Sequence, residues 1–336
     1  MTPLARPLLR PGTCSWSAPS WVGSFYPTGT LPADFLSFYA TRFSTVEADV
    51  TYYRIPDAAL VRGWERRTPE GFVLCAKFPR SIVHAGDGPR PDPSKLLVEE
   101  CVGPDRDRFL DAMALLGPKC GPLLLQFPYF NQQAFGEAGP FVERLDAFLA
   151  GLPTDFRYAV EVRNRRWLAE PLVEVLRAHR AALVLVDLPY MPDPEGLAGR
   201  AQLFTTDFIY LRLIGDRKRV DGLTSRFDRL VVDLDGRLQA WAELLGELPV
   251  GVRETYAFAN NHFAGHGPAT ISRLADLVRG PVSPMAWPAP GHGPRRDLPG
   301  FPGTGTGCAS SHAHNHGRGP SNPGRRASVW RGSPRP

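Results

Sequence analysis

The chain has 336 residues, 43% of them hydrophobic, which is enough for one large domain with a real core or for two ordinary ones. No run of about 18 apolar residues occurs, so no membrane-spanning helix is expected, and the opening MTPLARPLLRPGTCSW is too short and too proline-broken for a secretory leader, so a cytoplasmic protein is expected. The net charge of +5 is unevenly placed: residues 281–336 hold seven arginines, one aspartate and no lysine, which leaves −1 for residues 1–280 and excludes a strongly basic folded domain.

Eight short β-branched or apolar runs recur along the first 280 residues, with helical patterns between them. GTCSW (12–16) is followed by LPADFLSFYATRF (31–43), with proline near its start and apolar residues at helical spacing. TVEADV (45–50) is followed by PDAALVRGWERR (56–67), FVLCAKF (72–78) by the long pattern at 93–117, and PLLLQF (122–127) by FVERLDAFLAGL (141–152). RYAVEVR (157–163) precedes AEPLVEVLRAHR (169–180), and AALVLVD (181–187) precedes a weak element near 195–204. FIYLRLIG (208–215) leads to DGRLQAWAELLGEL (235–248), and VRETYAFANN (252–261) to PATISRLADLVRG (268–280). Strands alternating with helices imply a parallel sheet with right-handed crossovers. Eight such units predict a single-domain (β/α)8 TIM barrel over 1–280. The runner-up, an open doubly wound sheet, would usually carry a glycine-rich phosphate turn, and no nucleotide-cofactor motif of that kind occurs.

Residues 281–336 contain 11 Pro and 10 Gly in 56 positions, a composition that predicts a disordered Pro/Gly/Arg-rich tail. His312, His314 and His316 could take up a metal adventitiously, and the arginines could act as a basic arm for nucleic acid, although an inert extension is the favoured reading. The five cysteines form no zinc spacing; Cys14 and Cys75 read as buried free thiols.

Polar residues gather at the C-terminal ends of the strands, where a barrel opens its ligand-binding mouth. Glu47 and Asp49 are two apart on the second strand, so both point to one face. Lys77 ends the third strand and Gln126 the fourth; Glu161 and Arg163 form a second same-face pair. Asp187, Arg212, Asn260 and Asn261 close the last three strands. The opposite strand ends carry fewer such groups. Glu47, Glu161, Asp187 and Lys77 are the candidate catalytic groups, with a carboxylate as general base. Arg212 is the expected holder of a carboxylate or phosphate, because guanidinium binds these bidentately. Trp16, Tyr53 and Trp167 offer stacking faces, and His84 a proton donor or acceptor. Glu47, Glu161 and Asp187 could also supply oxygen ligands to a divalent metal. Each residue has a structural reading too: Glu47 as the buried ion-pair partner of Lys77, Asp49 and Asp187 as caps, and Glu161 and Arg163 as mutual neutralisers.

Several strings resemble the domain of unknown function 72 family, the YecE-like proteins: GTCSWSAPSWVGSFYP, FSTVEADVTYYRIP, TPEGFVLCAKFPRSIVH, LGPKCGPLLLQFPYF, AVEVRNRRW, YLRLIG and FANNHFAGHGPATI, in order from about residue 12 to 278. The resemblance implies a TIM barrel and carries no activity with it. Two positions depart from the family pattern: Asp49 stands where an amide is usual, and Ile214 where a histidine is frequent.

The residues together predict a mouth for a small anionic, hydroxylated ligand of the sugar-phosphate or nucleotide-like kind, with isomerase, lyase or phosphoester-hydrolase chemistry if the protein is an enzyme. A non-catalytic ligand- or partner-binding protein and a nucleic-acid phosphodiester enzyme are the alternatives.

Overall fold

The computed structural model describes residues 7–279. The tail at 281–336, with Cys308 and the three histidines, lies outside the described residues.

Eight parallel strands form one sheet in the order β1-β8-β7-β6-β5-β4-β3-β2. They are β1 (Leu8–Thr13), β2 (Thr45–Ala48), β3 (Val73–Lys77), β4 (Cys120–Gln126), β5 (Tyr158–Glu161), β6 (Ala181–Asp187), β7 (Phe208–Leu213) and β8 (Glu254–Ala259). Around them stand α1 (Phe35–Tyr39), α2 (Ala58–Arg66), α3 (Glu99–Ala114), α4 (Gly139–Ala150), α5 (Glu170–Ala178), α6 (Pro194–Leu197), α7 (Asp235–Gly246) and α8 (Gly267–Arg279). This is the expected TIM barrel and not the open sheet. The weak sixth crossover is a four-residue helix, α6, capped by Asp193, whose carboxylate accepts from the Gly196 N–H at 2.8 Å.

The first strand begins earlier than GTCSW suggested, because Pro11 inside it reads as a strand breaker. Leu8 N–H donates to Arg253 O at 2.8 Å and Cys14 N–H to Ala259 O at 3.1 Å. The even-numbered N–H groups of β1 therefore face β8, and the N–H that Pro11 lacks would face β2, where no ladder runs.

That seam between β1 and β2 is closed by a side chain. The Tyr39 hydroxyl accepts from the Thr13 N–H at 2.8 Å and donates to the Thr45 carbonyl at 3.1 Å. Gly12 makes the approach possible, since a Cβ there would sit 2.4 Å from Thr45 O.

The barrel interior is layered. At the N-terminal ends of the strands Glu254 accepts from Arg10 Nε at 2.9 Å and from Arg157 Nη1 at 2.6 Å. The Arg157 guanidinium lies 4.2 Å from the centre of the Phe208 ring. This end carries fewer charged groups than the mouth; those present share the inward parity of the mouth residues but sit at strand beginnings. The middle layer is aromatic, with Tyr210 and Phe258 ring centres 5.1 Å apart. The mouth layer is ionic.

Candidate functional site

Strand parity delivers the mouth residues. Tyr210 and Arg212 are two apart on β7 and both turn inward, as do Glu47 on β2, Lys77 on β3, Gln126 on β4 and Glu161 on β5. Arg212 is fully buried and sits at the centre. Its Nε donates to Glu47 Oε2 at 2.9 Å and its Nη2 to Glu47 Oε1 at 2.8 Å. Nη1 donates to Gln126 Oε1 at 2.8 Å and to Glu161 Oε2. Nη2 also approaches Cys14 Sγ at 3.9 Å. All five guanidinium N–H groups thus have acceptors within the protein. The sequence reading gave Arg212 an external anion to hold; the geometry instead makes it the cation around which the carboxylates are arranged.

The two glutamates are completed by the other cations. Lys77 Nζ is 3.3 Å from Glu47 Oε1, and Arg163 Nε donates to Glu161 Oε1 at 2.8 Å. The Tyr210 hydroxyl donates to Glu47 Oε2 at 2.9 Å. Burial alone would raise the Glu47 carboxyl, but Arg212 and Lys77 outweigh it and hold it down at about 2. Glu161 is likewise pushed up by burial and pulled lower still by Arg212 and Arg163. Both stay ionised at neutral pH and are poor proton carriers. The Cys14 thiol is pushed far up by burial and is inert.

Asp49 differs. It lies just beyond β2, in a single 3-10 turn (Asp49–Tyr52), half-buried beside the Ser15 hydroxyl. Burial raises its carboxyl, and the nearby Lys77 does not fully offset that. It is the one carboxyl of this cluster whose proton is held more tightly than usual. Arg163 is the more exposed of the remaining cations, whereas Lys77 is buried against Glu47. Arg163 is 23% exposed, and only its Nε is hydrogen-bonded among the described residues.

Other expected site residues are turned elsewhere. Asp187 has the opposite parity, and its carboxylate leaves the barrel to meet α7. It accepts from Trp241 Nε1 at 2.5 Å and from Arg237 Nε at 2.8 Å. Asn261 ties the first loop to β8: its Oδ1 accepts from Trp21 Nε1 at 3.1 Å and from Gly267 N–H at 2.9 Å. Asn260 caps the turn that follows β8, accepting from His262 N–H at 3.0 Å. Trp167 is buried between Phe130 and Phe141, with ring centres 5.7 and 5.1 Å away. Trp16 packs edge-on to Trp64 at 5.6 Å. His84 is buried in its own loop, its Nδ1 accepting from Gly86 N–H at 3.3 Å. Tyr53 stands on the rim, 79% exposed.

With Asp187 outside the barrel, the three carboxylates considered for a metal do not converge, and no group of three His, Cys, Asp or Glu suited to a metal stands among the described residues. A cleft of about 380 Å³ does open outside the barrel, lined by Leu230, Leu238, Thr270 and Arg273, but it is remote from the charged cluster. Tyr210 and Cys14 were absent from the predicted site, although their parity with Arg212 and Gly12 marks them as inward-facing. No helix among the described residues is long and apolar enough to cross a membrane.

The family described as Protein of unknown function DUF72 matches residues 10–292. The UPF0759 protein YecE of Escherichia coli (strain K12) is 33% identical over 159 residues, 47% of this chain and 50% of that protein. The UPF0759 protein YunF of Bacillus subtilis (strain 168) is 29% identical over 154 residues, 45% of this chain and 50% of that protein. The chain spans about half the length of the curated relatives it matches. Among solved structures, a DUF72 family protein from Thermotoga maritima MSB8 superposes with a TM-score of 0.58 at 27% identity, over 81% of this chain and 100% of that one.

Proposed function

We propose, for a chain that belongs to the family of unknown function DUF72, that the barrel mouth binds a small anionic, hydroxylated molecule and moves a proton on it. The observation that carries this reading is the division of labour among the cations. Arg212 is saturated inside the protein, while Arg163 is part-exposed and its two Nη nitrogens make no hydrogen bond among the described residues. A phosphate or carboxylate at the mouth would meet those donors. Asp49 is the group placed to exchange the proton, since its carboxyl is raised while Glu47 and Glu161 are held ionised. Glu47, Glu161 and Arg212 then serve as the fixed electrostatic floor of the site.

The test is calorimetric titration with inorganic phosphate and a panel of sugar phosphates. Wild type should bind at least one member, and Arg163→Ala should weaken that binding about 10- to 100-fold, the worth of a charged hydrogen bond. Asp49→Asn should keep the binding and lose turnover. Binding that survives Arg163→Ala unchanged would remove the anion site from this mouth. Binding without turnover of any bound compound would leave a ligand-binding protein.

A further inference from the structure

The rim outside the ionic cluster carries an arrangement that the proposed chemistry does not use. Three aromatic residues are exposed among the described residues: Tyr53 at 79%, Tyr129 at 59% and Tyr190 at 48%. All three follow strands at the C-terminal face, after β2, β4 and β6 respectively. Arginines occupy the loops between them. Arg80 follows β3, and Arg165 and Arg166 follow β5. Around half the mouth the order is therefore aromatic, basic, aromatic, basic, aromatic.

The loops are fastened so that these groups adjoin. Asn164 clasps the β4 loop from both sides, accepting from Phe130 N–H at 3.0 Å and donating to Phe130 O at 2.8 Å, which sets Tyr129 beside the 163–166 turn. Tyr190 lies within electrostatic reach of Arg163, and Tyr52, next to Tyr53, within reach of both Arg80 and Arg163. Arg165 and Arg166 are exposed and make no ion pair among the described residues. A soluble barrel gains nothing in stability from bare tyrosines and unpaired arginines concentrated at one end.

We infer that this rim is a docking surface for single-stranded nucleic acid. Tyrosine faces stack on unpaired bases, and arginines between them meet the phosphates that separate those bases. Tyrosines and arginines alternate loop by loop around the rim, the order in which bases and phosphates alternate along a single strand. The near-neutral charge of residues 1–280 fits a short local contact in place of a broad basic face. This surface does not depend on what the inner cluster binds.

The experiment is fluorescence anisotropy of the full chain with a labelled thymidylate strand of about 12 nucleotides, within the range one binding module covers. Full-length variants all carry the same tail, so its contribution cancels in ratios. Tyr53→Ala with Tyr129→Ala should weaken binding at least about tenfold, with an unchanged Tm because both side chains are exposed. Arg165→Ala with Arg166→Ala should also weaken it and reduce the slope of log K against log salt by about 1.4. Variants that bind as tightly as wild type would assign any binding to the tail and overturn the inference. Competition by inorganic polyphosphate as strong as by the oligonucleotide would show that bases are not read, and would overturn it equally.

Discussion

Glu47 meets Arg212 side-on, its two oxygens accepting from Nε and Nη2 at 2.9 and 2.8 Å in the middle of the barrel. A guanidinium so enclosed cannot be removed without leaving buried carboxylates unpaired. Arg212→Met should lower stability by about 3–5 kcal/mol in chemical denaturation. Adding Glu47→Gln to that variant should recover part of the loss, because one orphaned charge is gone. An Arg212→Met variant as stable as wild type would mean that the cluster is solvated and not a sealed network.

Asp49 predicts the opposite sign. Its folded carboxyl is raised above the ordinary value of 3.8, so the fold prefers the protonated form. Stability from that preference is present at low pH and is lost as the pH rises through the folded value. Asp49→Asn should therefore raise Tm at pH 7, with the gain vanishing in acid. A variant less stable than wild type at pH 7 would show that Asp49 is held by its cations more than it is hindered by burial.

His266 sets the acid limit. Burial lowers its ring to about 4, and Nδ1 accepts from Ala269 N–H at 3.3 Å, so the neutral form is the folded one. The stability this confers is complete above about pH 6.5 and is lost as pH falls from there towards 4. It amounts to at most about 3 kcal/mol. Tm measured across that window should fall more steeply for wild type than for His266→Gln, and parallel curves would exclude the assignment.

Asp187 should behave as an anchor for α7. Asp187→Ala leaves the buried Trp241 Nε1–H without its acceptor, at a cost of about 1–3 kcal/mol. Hydrogen exchange should rise in α7 first, while ligand binding at the mouth stays intact. Loss of binding with α7 protected would return Asp187 to the site.

Tyr39→Phe removes one oxygen and two seam contacts together, leaving the Thr13 N–H and the Thr45 carbonyl without their bridge. A loss of about 1–3 kcal/mol is expected, with exchange at Thr13 accelerated more than at β4 or β5. Equal acceleration everywhere would mean that the seam opens only with the whole barrel.

The barrel was legible in the sequence because its signal is repetition: eight apolar runs with helical spacers, each informative about the next. The inward row of Glu47, Lys77, Gln126, Glu161 and Arg212 was legible too, since polar side chains at strand ends have few other places to go. Asp187 was misassigned because AALVLVD is apolar on both faces, so the run gives no parity from which to tell inside from outside. Arg212 was assigned to an outside anion because its acceptors come from β2, β4, β5 and the residue just after β1, up to 198 residues away in sequence. Charge pairing at that range is a property of closure, and no local pattern announces it. The start of β1 was missed for a related reason: Pro11 is excluded from most strands but tolerated at a seam.

The ionic plug of Arg10, Glu254 and Arg157 gives the barrel a floor. That end of the barrel is closed by packed charge, and the opposite end is the one that can present a site. A molecule bound at Asp49 and Arg163, as proposed, would have to leave by the mouth through which it came, so that arrival and departure would exclude each other.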